Sequence, residues 1–192
     1  MAGVHAGAGE SGSRRGDRCD RCRRRDPIFR RRATEEPKGL MVGKIDFSVE
    51  PLVREALGAV VGKDLARLQQ ALGAFTGDEA AIHGLNLATA VSLYVLYDLN
   101  EGARSTNEEL AEIAGEVATA EKWVGVADDE VNKYLQAAHS GTRVDQILPM
   151  ERVIILAYVI AANLLASYCD EGEHWWDLLD RAEAAIEASP ER

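Results

Sequence analysis

The residues after Met41 follow an apolar pattern of helical period, whereas the forty residues before it do not. Residues 1–40 hold 11 Lys and Arg against 6 Asp and Glu, a net charge of +5, and residues 41–192 hold 11 against 26, a net charge of −15. The sizeable aliphatic and aromatic side chains of residues 1–39 are Val4, Ile28 and Phe29. So little apolar surface cannot offset the entropy lost on ordering. We therefore predict a disordered basic leader over residues 1–40 and an acidic helical domain over residues 41–192.

Three interpretations of the leader compete. Its arginine runs at residues 23–25 and 30–32 suit contacts with phosphates, which is typical of a nucleic-acid-binding arm. Cys19 and Cys22 have the spacing of half a zinc site, but a structural zinc needs four ligands and no second ligand pair lies nearby. The third interpretation is a non-native extension, with translation beginning at Met41. The abrupt start of the apolar pattern at Met41 favours this third interpretation.

Seven helices are predicted from Ser48 onward, with no convincing alternating pattern of strand type. Their candidate first turns carry a capping residue, an early acid or a proline, and they begin near Ser48, Gly62, Thr76, Ser105, Asp128, Pro149 and Glu173. Residues 76–79 and 105–108 have the spacing of capping boxes, which end at Glu79 and Glu108. Turn residues follow the third helix at 100–102 and the fifth at 140–141. Residues 153–168 are apolar on nearly every face, which indicates a central helix. The sequence therefore predicts an all-α bundle of six to seven helices.

Two apolar segments require comparison with membrane spans. Residues 80–99 contain His83 and Asn86, and residues 153–169 are short and contain Asn163, whereas a span needs about 20 predominantly apolar residues. We interpret both as core helices and expect no membrane insertion. Three cysteines without a disulfide framework indicate a reducing compartment, so we expect a cytoplasmic protein. The Arg- and Ala-rich composition favours a bacterial source.

The same polar residues need partners wherever they are buried. His83 lies early in the third predicted helix, and we interpret it as a hydrogen-bonded core histidine. Asn86 and Asn163 are expected to pair with each other across the core or to fix the register of a dimer. A ligand pocket lined by these asparagines is the less favoured interpretation.

The sequence contains no recognisable catalytic motif. It lacks the nucleophile elbow G-x-S-x-G, a glycine-rich phosphate loop and the zinc motif H-E-x-x-H. Four histidines, one of them in the leader, leave few candidate general bases. We therefore predict that the protein is not an enzyme and uses no cofactor. The net charge of −10 also disfavours binding to nucleic acid or to anionic membranes.

A protein-interaction module of regulatory, adaptor or immunity type is the favoured function. It would present an acidic helical surface to a protein partner, or to a second copy of itself, through Glu108, Glu112, Asp128 and Asp129. Trp175 and Trp176 add a candidate apolar contact, because adjacent helical positions point about 100° apart and one indole is left near the surface. The helical pattern places Trp176 near the face that carries Leu179 and Ile186.

Two alternative functions remain open. Residues 105–138 have the texture of a degenerate helix-turn-helix, with Lys133 as a candidate DNA contact, which makes a transcriptional regulator the first alternative. Eight acids over residues 105–140 oppose it, since they repel phosphates. The second alternative is a metal- or ligand-binding bundle, in which Asp170, Glu171 and His174 supply carboxylate and imidazole ligands.

Overall fold

Two long apolar helices form the centre of an all-α bundle. The computed structural model describes residues 44–189, and every regular element in that range is helical. The seven α-helices are α1 (Glu50–Val61), α2 (Leu65–Gly73), α3 (Asp78–Leu99), α4 (Asn107–Ala120), α5 (Asp128–Ser140), α6 (Met150–Tyr168) and α7 (Trp175–Ala188). Single 3-10 turns lie at Lys122–Val124 and Val144–Gln146. The predicted all-α bundle is confirmed. The predictions for the leader, with its arginine runs, Cys19 and Cys22, concern residues outside the described range.

Helix α6 is the core element of the bundle. Twelve of its 19 residues are buried, from Val153 to Ala166, and it packs against α1, α3, α4, α5 and α7. By length and composition alone, α3 and α6 are apolar enough to cross a membrane. The core helix of a soluble protein passes the same test, and α6 is mostly covered by its neighbours in the bundle. The structure is therefore compatible with the interpretation of both segments as core helices.

The first turns of the helices differ in detail from those predicted. The capping box of α4 is formed one residue later than expected: Glu109 N donates to Thr106 Oγ1 at 3.3 Å, and Thr106 N donates to Glu109 Oε2 at 2.7 Å. Ser105 is instead buried and accepts from Asn100 Nδ2 at 2.6 Å. Because Ser105 closes the turn after α3, its hydroxyl is not free to cap α4.

The N-terminus of α3 was also predicted incorrectly. Its capping residue is Gly77, at φ +89°, and no side chain caps the helix, so residues 76–79 form no capping box. The residue that directly precedes α1 is Val49 rather than Ser48. Ser48 instead donates to Asp46 Oδ1 through both its backbone N and its hydroxyl. The predicted turn at 140–141 is confirmed, since Gly141 ends α5 in the left-handed conformation at φ +74°.

The polar residues of the core helices have other partners than those predicted. His83 is exposed, and its Nδ1 lies 3.4 Å from Asp46 Oδ2, so the prediction of a core histidine is wrong. Asn86 is also exposed and cannot pair with Asn163 across the core. Asn163 is buried and donates from Nδ2 to Glu121 Oε1 at 2.6 Å. The side chains of His83 and Asn86 therefore project from α3 into solvent rather than into the core.

Candidate functional site

The acidic residues singled out from the sequence lie on two helices that pack against each other. Glu108 and Glu112 are exposed on α4, and Asp128 and Asp129 are exposed in the first turn of α5. A Cβ atom placed on Gly115 would lie 3.9 Å from Asp128 Oδ2, so this carboxylate sits beside the middle of α4. Positions 108, 112 and 115 share one helix face because they are three to seven residues apart. The structure thus brings Glu108, Glu112 and Asp128 into one surface, which we call the acidic face.

The acidic face has little compensating charge. Helix α4 contains no Lys or Arg, and neither Glu108 nor Glu112 makes an ion pair within residues 44–189. Like charges four residues apart on a helix are destabilising by about 0.2–0.5 kcal/mol per pair. Asp129 differs from the others, because its carboxylate accepts from Lys133 Nζ at 2.9 Å and that lysine lowers its pKa.

Glu116 continues the row of acids along α4. It lies four residues after Glu112 and is also exposed, and Tyr168 donates its hydroxyl to Glu116 Oε2 at 3.5 Å. The row was visible in the sequence as acids at positions 108, 112 and 116. Its position beside Asp128 was not, because it depends on how α5 packs on α4.

A buried carboxylate anchors the connection between α4 and α5. Glu121 follows α4 directly and is 3% exposed. Its Oε1 accepts from Asn163 Nδ2 and its Oε2 accepts from Trp123 Nε1, both at 2.6 Å. Sequence reasoning missed this residue, because a glutamate at a helix end is usually solvated. The bonds tie the connection, residues 121–127, to the core helix α6.

The geometry of residues 105–138 bears on the helix-turn-helix interpretation. The seven residues between α4 and α5 exceed the 3–4 residues that the turn of such a motif contains. Lys133, the candidate DNA contact, is paired with Asp129 on its own helix. The two features indicate that α4 and α5 form an acidic helical hairpin in which Lys133 is already paired with an acid.

The two adjacent tryptophans occupy different environments. Trp175 is partly buried against the core, and its Cζ2 lies 3.5 Å from where a Cβ on Gly58 of α1 would be. Trp176 is 42% exposed, and its ring stacks on the imidazole of His174 with 4.1 Å between centroids. Trp176 is therefore not buried with Leu179 and Ile186, the face on which the helical pattern placed it. The exposed indole and imidazole form an aromatic surface at the start of α7.

Two of the three candidate metal ligands, Asp170 and His174, are engaged in other contacts. Arg181 Nη1 donates to Glu173 Oε1 at 2.6 Å, and Nη2 of the same residue lies 3.8 Å from Asp170 Oδ2. Glu171 is exposed, and His174 stacks on Trp176. Among residues 44–189 no three His, Cys, Asp or Glu side chains are grouped so that they could hold a metal ion. A guanidinium among these carboxylates supplies the positive charge that a cation would otherwise supply.

Comparison with known proteins adds no relative to these observations. No protein-family model, no curated protein and no solved structure matches this chain. The chemistry of its own surface is therefore the basis on which a function can be proposed.

Proposed function

We propose that this protein is a protein-interaction module of regulatory, adaptor or immunity type, which presents the acidic face of α4 and α5 to a basic partner in the bacterial cytoplasm. The observation that carries the proposal is the row formed by Glu108 and Glu112 with Asp128 beside it. These carboxylates repel one another and are left without cations by the bundle itself. A partner that supplies Lys or Arg relieves that repulsion on binding.

Charge distribution elsewhere supports the choice of this face. The arginines with exposed or partly buried guanidinium groups are largely used within the bundle, where they bind carboxylates; examples are Arg67 with Glu55 and Arg152 with Glu130. The acidic face contrasts with these ion pairs, since its helix α4 carries four glutamates and no Lys or Arg. Complementary charge of this kind accelerates association and selects partners more than it adds affinity.

The aromatic surface at the start of α7 is a second candidate contact. Trp176 is among the large apolar side chains that the fold leaves exposed, and tryptophan is enriched at the energetic centres of interfaces. The acidic face by itself is poorly suited to a symmetric dimer, because each carboxylate would meet another. Self-association would therefore use the aromatic or other apolar surfaces.

The test compares matched neutral variants of the full chain in a capture experiment from lysate of the source organism, with and without nuclease. The face variant E108Q/E112Q/D128N neutralises the acidic face. The control variant E79Q/E171Q/E187Q neutralises three exposed acids elsewhere. We expect a protein captured in near-stoichiometric amount by wild type and control, unaffected by nuclease and lost from the face variant.

Other outcomes overturn the proposal. Equal capture by the face variant would move the binding site away from α4 and α5. Capture that vanishes with nuclease would instead favour the DNA-binding regulator. If K133Q also abolished this nuclease-sensitive capture, Lys133 would be identified as the DNA contact. Bound metal in protein purified without chelator, lost in H174Q, would favour the second alternative, the metal- or ligand-binding bundle with Asp170, Glu171 and His174.

A further inference from the structure

One arginine on α1 is surrounded by three carboxylates. Arg54 Nε donates to Glu50 Oε1 at 2.7 Å, and its Nη2 donates to Asp180 Oδ1 at 2.7 Å and to Glu183 Oε2 at 3.0 Å. Asp180 and Glu183 belong to α7, so this group, which we call the Arg54 cluster, joins α7 to α1. With every carboxyl ionised, the cluster carries three negative charges against one positive charge.

The three carboxylates differ in their contact with water. The Asp180 side chain is 62% exposed, whereas that of Glu183 is only 14% exposed. Glu183 Oε1 is buried and has no hydrogen-bond partner within the described residues. A charged oxygen in that position has lost its hydration and gained nothing in exchange, whereas a protonated carboxyl carries no such charge. Glu183 is therefore the member of the cluster that binds a proton most readily.

We propose that the contact between α1 and α7 is proton-dependent, and that it is closed when Glu183 is protonated and weakened when Glu183 is ionised. Glu183 changes its protonation state within the physiological pH range because opposing effects act on the pKa of its carboxyl group. Burial has the largest effect and raises the pKa of Glu183. Arg54 opposes this effect, the carboxylates of Glu50 and Asp180 add to it, and the net pKa is about 7.

The charges that act most strongly on Glu183 come from α1 and α7 rather than from α3 and α6, the other helices packed on α7. The titratable acids and histidine of α3 are Asp78, Glu79, His83 and Asp98. Asp98 acts on Tyr94 together with Arg181 of α7, and Arg181 itself lies beside Glu173 and Asp170. The charged residues of α6 are Glu151 and Arg152 at its first turn, and Arg152 binds Glu130 on α5. The charged groups that act most strongly on Glu183 are therefore the other members of the Arg54 cluster.

The sign of the effect follows from linkage. A carboxyl whose pKa is higher in the closed state than in the released state favours closure at low pH and loses that contribution as pH rises. With an ordinary pKa of 4.5 after release and about 7 when closed, the equilibrium constant for opening rises about tenfold between pH 6 and pH 8. Trp175 rests against Gly58 in the same pair of helices, so opening also exposes its indole.

The experiment is amide hydrogen exchange of the full chain at pH 6, 7 and 8, with rates in α7 corrected for the intrinsic pH dependence of exchange. We expect α7 of the wild type to open about tenfold more at pH 8 than at pH 6. E183Q imitates the protonated side chain, and its corrected exchange should not change with pH. E187Q removes an exposed acid from the same helix and should behave like the wild type.

Further results with E50Q, the wild type and E183Q test whether the contact between α1 and α7 depends on the protonation of Glu183. E50Q leaves Arg54 and Glu183 in place and removes one repelling charge, so the transition should move to lower pH. A wild type whose α7 opens equally at pH 6 and pH 8 would overturn the proposal. A pH dependence of exchange that persists in E183Q would also overturn the proposal. That variant retains every histidine, so the result would assign the effect to one of them.

Discussion

At the scale of single residues, the bundle depends on polar groups that the sequence presents as ordinary surface residues. Glu121 reads as the polar end of a helix, and Glu183 as one acid among several on an amphipathic helix. Both are substantially buried, and their environments come from residues more than forty positions away: Asn163 for the first and Arg54 for the second. Local pattern carries no information about partners at that separation.

The hydrogen bond between Asn163 and Glu121 gives a residue-scale prediction. N163A removes the donor to a buried carboxylate oxygen, and hydrogen bonds to charged groups contribute about 1.5–3 kcal/mol. We expect the free energy of unfolding in urea to fall by that amount, with a change in the emission of the neighbouring Trp123. The matched control is N86A on the exposed face of α3, for which the change should stay within about 0.5 kcal/mol. Equal losses in the two variants would contradict a specific role for Asn163.

At the scale of the helices, the sequence predicted which segments are helical but not how each begins. The apolar period marks all seven helices, because burial of one face against the core is what stabilises them. The first turns of α3 and α4 differ from the predicted ones because nearby residues make other interactions. Ser105 accepts a hydrogen bond from Asn100, and Gly77 adopts a positive φ before α3. Competition of this kind appears only when neighbouring turns are known in three dimensions.

The capping box of α4 provides the element-scale prediction. T106A removes the hydroxyl that accepts from Glu109 N, and loss of such a cap costs about 1 kcal/mol of stability. E108Q, at the position that the sequence placed in the box, should leave stability unchanged or slightly improved, since it also removes repulsion along α4. Urea denaturation of both variants distinguishes the two positions; a loss confined to E108Q would restore the predicted box at Ser105.

At the scale of the whole molecule, the packing of the core was easier to predict from the sequence than the arrangement of surface charge. The core is organised by α6, whose apolar surface the other helices cover, and this much was predictable from its composition. The candidate acidic face was predictable only in part. Its acids on α4 were identified from the sequence, whereas the position of Asp128 beside Gly115 follows from the packing of α5.

The net charge of −10 gives a prediction for the whole chain. Raising NaCl from 0.01 to 0.15 M shortens the screening length from about 30 to about 8 Å and weakens repulsion among the excess acids. We expect stability to rise by about 1 kcal/mol, which corresponds to about 2–4 °C in Tm for a domain of this size. The rise should be smaller for E108Q/E112Q/D128N than for E79Q/E171Q/E187Q. A Tm that falls with salt would show that the ion pairs outweigh the repulsion.

The anchored connection after α4 limits how this chain can be lengthened. Residues 100–106 and 121–127 are connections of equal length between successive helices. An insertion between Ala103 and Arg104 would emerge directly into solvent, since both side chains are exposed. An insertion after Glu121 would separate this buried carboxylate from Trp123, whose Nε1 donates to Glu121 Oε2. We therefore expect a fused domain, an epitope tag or a new pair of termini to be tolerated in the first connection and to destabilise the fold in the second.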